Sequence, residues 1–102
     1  MNEIVKNNIE DIISLCKKHR VKSLSLFGSA AKNTMQEESD IDFLVQFSED
    51  IDVLDYADNY FSLLEELENI FQRKVDLVSV KSIKNPVLKE EIYSSKVDLY
   101  AA

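Results

Sequence analysis

The segment from Leu24 to Val45, LSLFGSAAKNTMQEESDIDFLV, joins two apolar, strand-like runs through Gly28, the only glycine in the chain. In the second run, Asp40 and Asp42 alternate with apolar residues. Residues two apart on a strand share a face, so this spacing predicts that the two carboxylates stand side by side, with Cα atoms roughly 6.5–7 Å apart. Adjacent carboxylates repel each other and lose hydration, which indicates a site built for a cation.

The composition is that of one globular domain, residues 1–102, with an ordinary hydrophobic core. The formal net charge of −7 disfavours direct nucleic-acid binding, because such binding relies on many Lys and Arg contacts with phosphate. Acidic clusters can still hold a nucleotide through a hard cation such as Mg²⁺.

No apolar run approaches the roughly 18–20 residues that span a bilayer, and no signal-peptide pattern is seen, so we expect a cytoplasmic protein without membrane contact. We expect Cys16, the only cysteine, to be a buried free thiol.

Three apolar runs predict β-strands, at Val21–Phe27, Asp40–Phe47 and Lys74–Val80. The third run contains Asp76, a carboxylate within otherwise apolar surroundings. We interpret the polar segment Asn33–Ser39 as a connecting loop. The C-terminal stretch KVDLYAA fits either a short terminal strand or a final turn.

Apolar residues at three- and four-residue steps predict one helix from Asn2 to about Arg20, a long helix capped by Asp50 or Asp52, and a last helix with Asn85 as cap and Pro86 at its first position. We expect His19 to be a solvated residue at the end of the first helix. The long helix is expected to pack through Val53, Leu54, Ala57, Tyr60, Phe61, Leu64, Leu67 and Phe71, and the last helix through Val87, Leu88, Ile92 and Tyr93. This order predicts an α/β (α+β) fold, a mixed β-sheet of three to four strands with helices packed against it.

A strand that turns through Gly28 into a helix N-terminus exposes backbone N–H groups suited to a phosphate, and Ser29 could serve there as cap or ligand. Taken alone, a Gly-Ser pair more often makes an ordinary turn. If the strand bearing Asp76 lies beside the strand bearing Asp40 and Asp42, three carboxylates converge beside this turn. Such a trio is typical of a two-metal Mg²⁺ site for nucleotidyl transfer, in which the triphosphate completes the metal shell.

The motif spacing resembles that of the DNA polymerase beta-like nucleotidyltransferase superfamily: Gly28-Ser29, ten intervening residues, then Asp40-Ile41-Asp42 followed by an apolar run. At this length the chain is similar to the minimal nucleotidyltransferases, which are often encoded beside HEPN-domain partners. The resemblance implies that Gly28 and Ser29 bind the triphosphate of ATP and that Asp40 and Asp42 ligate Mg²⁺. It implies that Asp76 is the third metal ligand and helps to deprotonate the attacking hydroxyl.

The chain departs from that pattern just after the turn. Many relatives read Gly-Ser-Arg-Ala-Arg-Gly, whereas here Ala30, Ala31, Lys32 and Asn33 follow Ser29. Lys32 can supply a point charge to phosphate, but it cannot form the planar, bidentate contact of an arginine. Lower nucleotide affinity or turnover is the expected consequence.

The resemblance also implies an antitoxin that transfers AMP from ATP to a tyrosine hydroxyl of a HEPN-type ribonuclease toxin, in a hetero-oligomer. Added phosphate charge would repel RNA from the modified ribonuclease site. Two other functions remain open at this point: a module that blocks its partner by contact alone, and an enzyme that modifies a small hydroxylated compound such as an aminoglycoside. A purely structural interpretation would place Asp40, Asp42 and Asp76 harmlessly at a solvent-exposed sheet edge.

Overall fold

A computed structural model describes residues 3–31 and 40–102 of the chain. These residues form ten elements of secondary structure. The helices are α1 (Glu3–Asn7), α2 (Ile9–Lys18), α3 (Gly28–Ala31), α4 (Val53–Phe71) and α5 (Pro86–Ser95), and a 3₁₀ turn covers Val80–Ser82. The strands are β1 (Val21–Phe27), β2 (Ile41–Phe47), β3 (Val75–Ser79) and β4 (Val97–Ala101). The C-terminal stretch is therefore a strand. The loop predicted at residues 33–39 lies outside the described residues.

The strands form one mixed sheet in the order β3-β2-β1-β4. β1 pairs antiparallel with both β2 and β4, whereas β2 and β3 run parallel. A parallel pair needs a long crossover connection, and the 19-residue helix α4 supplies it. The predicted mixed sheet with packed helices is confirmed, with four strands.

One face of the sheet carries the core, and α2 and α4 lie against it. The apolar residues of β2 that alternate with Asp42 and Gln46 are all buried: Ile41, Phe43, Val45 and Phe47. They pack with Leu63, Leu67 and Phe71 of α4 in one core cluster, and the centres of the Phe43 and Phe71 rings lie 6.0 Å apart. Cys16 is buried as expected, and burial raises the pKa of its thiol to about 12, which leaves it unreactive. No described helix has the length and apolar character needed to cross a membrane.

The N-terminal helix is divided rather than continuous. Asn8 separates α1 from α2, and its side-chain amide donates to the carbonyl oxygen of Ile4 at 2.8 Å. A short polar side chain that bonds locally to backbone competes with helix continuation, which explains the break. The two predicted caps of the later helices are confirmed, since Asp52 accepts from the Asp55 N–H and Asn85 from the Val87 N–H.

The predicted packing faces of α4 and α5 were too wide. Val53, Leu54 and Phe61 are 83%, 79% and 65% exposed. The buried stripe of α4 instead follows Leu63, which the predicted set omitted, Leu67 and Phe71. Leu54 and Phe61 lie roughly 120–140° from the centre of this stripe around the helix and so face away from the sheet. Val53 lies on the side of the stripe but at the first residue of the helix, ten residues before Leu63. On α5 only Ile92 is buried, whereas the other predicted packing residues are exposed: Val87, Leu88 and Tyr93.

His19 is only 3% exposed, so the expectation of a solvated residue was wrong. Its Nδ1 donates to the Leu15 carbonyl oxygen at 2.7 Å, and its Nε2 lies 2.9 Å from both Ser62 Oγ and Glu66 Oε2. α4 covers the end of α2, which removes this histidine from water. The ring therefore joins the two helices through polar contacts.

Removal of this ring should destabilise the fold. The buried His19 ring donates to the Leu15 carbonyl oxygen, and its Nε2 lies 2.9 Å from both Ser62 Oγ and the buried Glu66 Oε2, so His19→Ala would remove these contacts and leave a cavity between α2 and α4. We expect the free energy of unfolding to fall by about 2 kcal/mol in urea titrations. The exposed neighbour Lys17 is the control, since Lys17→Ala should change stability by less than about 0.5 kcal/mol. Equal effects of the two substitutions would contradict the assigned role of His19.

Candidate active site

Two carboxylates from neighbouring strands lie side by side at one end of the sheet. The parallel register pairs Asp42 of β2 with Asp76 of β3, and adjacent strands bring their Cα atoms to roughly 4.8 Å. Asp40 is exposed and stands two residues before Asp42, immediately before β2 begins. The condition set in the sequence analysis, that the strand bearing Asp76 lies beside the strand of the acidic pair, is therefore met.

The closeness of these acids changes their chemistry. Burial, and after it the negative charges of Asp76 and Asp40 and a hydrogen bond shared with Asp76, raise the pKa of Asp42 from 3.8 to about 6. The charged form is disfavoured because water is partly excluded and the neighbouring charges have the same sign. A cation placed between Asp42 and Asp76 would remove this penalty.

The glycine turn lies directly against this pair. Gly28 follows β1 with a positive φ of 70°, a conformation that residues with a side chain rarely adopt. The preceding residue, Phe27, is the register partner of Asp42. A Cβ atom at position 28 would lie only 2.3 Å from Asp42 Oδ2, so both the backbone conformation and the space require glycine.

The other residues predicted for nucleotide binding are only partly described. The backbone of Ser29 belongs to α3, but its side chain lies outside the described part of the structure. Lys32 lies wholly outside the described residues. The structure therefore brings Gly28, Asp42 and Asp76 together, with Asp40 next to them in the chain.

The chemistry of the acidic pair fits a hard divalent cation. Within residues 3–31 and 40–102, no three His, Cys, Asp or Glu side chains converge into a preformed metal site. Mg²⁺ commonly binds through one or two carboxylates and completes its shell with water and substrate phosphates. A partly buried carboxylate, Asp42, beside the exposed carboxylate of Asp76 is consistent with that mode of binding.

Two tyrosines of α4 hold β3 in place, a feature that the sequence interpretation missed. Tyr60 donates its hydroxyl to the Leu77 carbonyl oxygen at 2.5 Å, and Tyr56 donates to Ser79 Oγ at 2.6 Å. Burial, followed by the charge of Asp76 and the proximity of Tyr56, raises the pKa of Tyr60. We assigned Tyr60 to apolar packing, and the four-residue step from Tyr56 to Tyr60 was the signal that both hydroxyls face the same strand.

Comparison with known proteins places this geometry in context. The family model Polymerase beta, Nucleotidyltransferase matches residues 10–102. A curated relative, the protein adenylyltransferase MntA of Thermococcus cleftensis, is 32% identical to this chain, and the match covers 91% of this chain and 99% of the relative.

Solved structures show the same fold. A minimal nucleotidyltransferase is 33% identical, covers 95% of each chain and superposes with a TM-score of 0.76. A chain of a toxin–antitoxin structure with AMP-PNP is 26% identical, with a TM-score of 0.72 over 93% of this chain and 74% of that chain. The arrangement of sheet and helices is thus shared with minimal nucleotidyltransferases.

Neutralising Asp42 should stabilise the metal-free protein. The pKa of this acid is raised on folding, so its contribution to stability is greatest at low pH and is lost as the pH rises from 3.8 through about 6. In urea titrations near neutral pH without divalent ions, we expect Asp42→Asn to raise the free energy of unfolding by about 1 kcal/mol, after allowance for solvent screening at a partly exposed group.

The same titrations at acidic pH serve as the control, because the difference between Asp42→Asn and the wild type should vanish when the acid is protonated in both states. If Asp42→Asn destabilises the protein at every pH, the assigned repulsion is wrong.

Gly28→Ala should displace the Asp42 carboxylate. The new Cβ would clash with Oδ2 and the positive φ would add strain, so we expect a loss of at least about 1–2 kcal/mol in the free energy of unfolding. The double variant Gly28→Ala/Asp42→Ala removes the clash and keeps the strain, so it should be less destabilised than the sum of the two single variants. Additive effects would show that the two residues do not touch.

Proposed function

The chain belongs to the Polymerase beta, Nucleotidyltransferase family, and we propose that it transfers AMP from ATP to a tyrosine hydroxyl of a HEPN-type toxin in the cytoplasm, as the antitoxin of that pair. The observation that carries this proposal is the placement of Asp42 beside Asp76 and against the Gly28 turn. In this proposal the two carboxylates bind the cation, and the glycine turn lets a phosphate lie close to the backbone beside them.

The donor and the kind of acceptor are supported by the relatives. The Thermococcus cleftensis relative is named a protein adenylyltransferase, which favours AMP as the transferred group and a protein as acceptor. The toxin–antitoxin structure contains AMP-PNP, an analogue of ATP, and favours a toxin as the partner. The choice of a HEPN-type toxin and of tyrosine rests on the sequence resemblance to minimal nucleotidyltransferases.

In this proposal the acceptor oxygen attacks the α-phosphorus of ATP. The bond from that phosphorus to the oxygen bridging it to the β-phosphate breaks, and pyrophosphate leaves. Asp76, which is exposed on β3, accepts the hydroxyl proton. The backbone N–H groups of Gly28 and Ser29 would bind the triphosphate, since a strand that turns into a helix N-terminus leaves such groups unpaired.

Asp40, Asp42 and Asp76 are the residues that would hold Mg²⁺. Bound there, the ion would offset the charges of the acids and of the phosphates during transfer. The raised pKa of Asp42 supports this assignment, because burial and the like charges of Asp76 and Asp40 disfavour its ionised form, a cost that a bound cation would offset.

Protein modification by the purified chain tests the proposal. The chain is incubated with ATP, Mg²⁺ and the HEPN-type product of the neighbouring gene, and intact-mass spectrometry then follows the partner. We expect the addition of AMP to a partner tyrosine, and its loss when Mg²⁺ is chelated. Asp42→Asn and Asp76→Asn should each reduce the rate at least about a hundredfold.

Asp11, an exposed carboxylate on α2, provides the matched control, since Asp11→Asn should leave the rate unchanged. Inhibition of the toxin without any added mass would instead identify a module that acts by contact alone. Transfer of AMP only to an aminoglycoside would identify a small-molecule enzyme. Either result would overturn the proposed protein substrate.

A further inference from the structure

The N-terminal half of α4 exposes an apolar stripe that the core does not use. Val53, Leu54 and Phe61 are 83%, 79% and 65% exposed, and Ala57 lies exposed between them. At 100° per residue these four positions fall within about 100° of one another around the helix, so they form one face. Contiguous apolar patches of this kind mark interaction surfaces.

A cleft continues this stripe toward the sheet. A space of about 560 Å³ lies between the start of α4 and residues 79–84, and a second space of about 320 Å³ adjoins it. The two spaces share Tyr56, Ser79 and Ser82 as lining residues, and Val53 and Phe61 line one space each. We call the stripe together with this cleft the α4 surface.

The two edges of the α4 surface carry opposite charges. Lys81 and Lys84 are exposed on the cleft wall, and Lys81 Nζ lies 6.0 Å from the centre of the Tyr56 ring. Asp58 and Glu65 are exposed on the other side of the stripe, about 20–40° beyond its edge on the helix. None of these four side chains forms an ion pair within the described part of the chain.

We propose that the α4 surface is the interface between two copies of this chain. A twofold axis parallel to α4 brings stripe against stripe and turns the basic edge of one copy toward the acidic edge of the other. Lys81 of each copy would then face Asp58 of its partner. The patch is complementary to itself in the charge of its edges.

Other occupants fit these charges less well. A basic nuclease would be repelled by Lys81 and Lys84, and an acidic protein by Asp58 and Glu65. A second copy satisfies both edges at once. Stable interfaces bury roughly 800 Å² per partner, so the dimer must cover the cleft walls as well as the stripe. The proposal does not depend on AMP transfer, and its test uses the chain alone.

Sedimentation equilibrium of the full chain over a wide concentration range tests the proposal. We expect the weight-average mass to rise toward twice that of the monomer as the concentration increases. Phe61→Asp should weaken the dimer at least about tenfold, because it buries a charge within the apolar stripe. Val87→Ser on α5 is the matched control: Val87 is also exposed and apolar, and its replacement should leave the dissociation constant unchanged.

A charge exchange tests the orientation of the two copies. Asp58→Lys alone and Lys81→Glu alone should each weaken the dimer, and the double variant should restore its affinity because the opposite charges meet again across the twofold axis. Circular dichroism melts confirm that each variant is folded. A monomer at every concentration, or a dimer that Phe61→Asp leaves intact, would overturn the proposal. A monomer whose α4 surface binds only a toxin would do so as well.

Discussion

The enforced closeness of Asp42 and Asp76 is the constraint on which the rest of this structure depends. Parallel pairing of β2 and β3 makes the two residues register partners, and the carboxylates then share a hydrogen bond and repel each other. Burial, together with the charges of Asp76 and Asp40, raises the pKa of Asp42 to about 6. On the opposite face of β2, Ile41, Phe43, Val45 and Phe47 are buried in the core, and their burial helps to offset this cost. Cation and nucleotide binding would recover that free energy.

The long helix α4 makes this closeness possible in two ways. It carries the chain from the end of β2 to the start of β3, which a parallel pair requires. Its Tyr56 and Tyr60 then donate hydrogen bonds to β3 on the C-terminal side of Asp76. Helix α4 connects β2 to β3, and through its tyrosines it therefore also helps to fix the position of Asp76. The remaining exposed side of α4 is free for an interface.

Much of this arrangement follows from short-range patterns in the sequence. The alternation of Asp42 with Ile41 and Phe43 assigns each residue to a face, and the Gly28 turn precedes it at the expected spacing. Caps such as Asp52 and Asn85 act within a few residues of the chain, so they too are readable from sequence. The partnership of Asp42 with Asp76 required the added assumption that the two strands are neighbours.

Features that depend on distant packing could not be predicted. His19 looks like a solvated helix end until α4 covers it, and its partners Ser62 and Glu66 are more than forty residues away. The apolar set of α4 is wider than the sheet can cover, so periodicity alone could not separate buried Leu63 from exposed Phe61.

The measurement that tests the central claim most directly is an NMR titration of the side-chain carboxyl of Asp42. The account predicts an apparent pKa of about 6 without metal, moving down when Mg²⁺ is added. A pKa near 3.8 that Mg²⁺ does not change would contradict it.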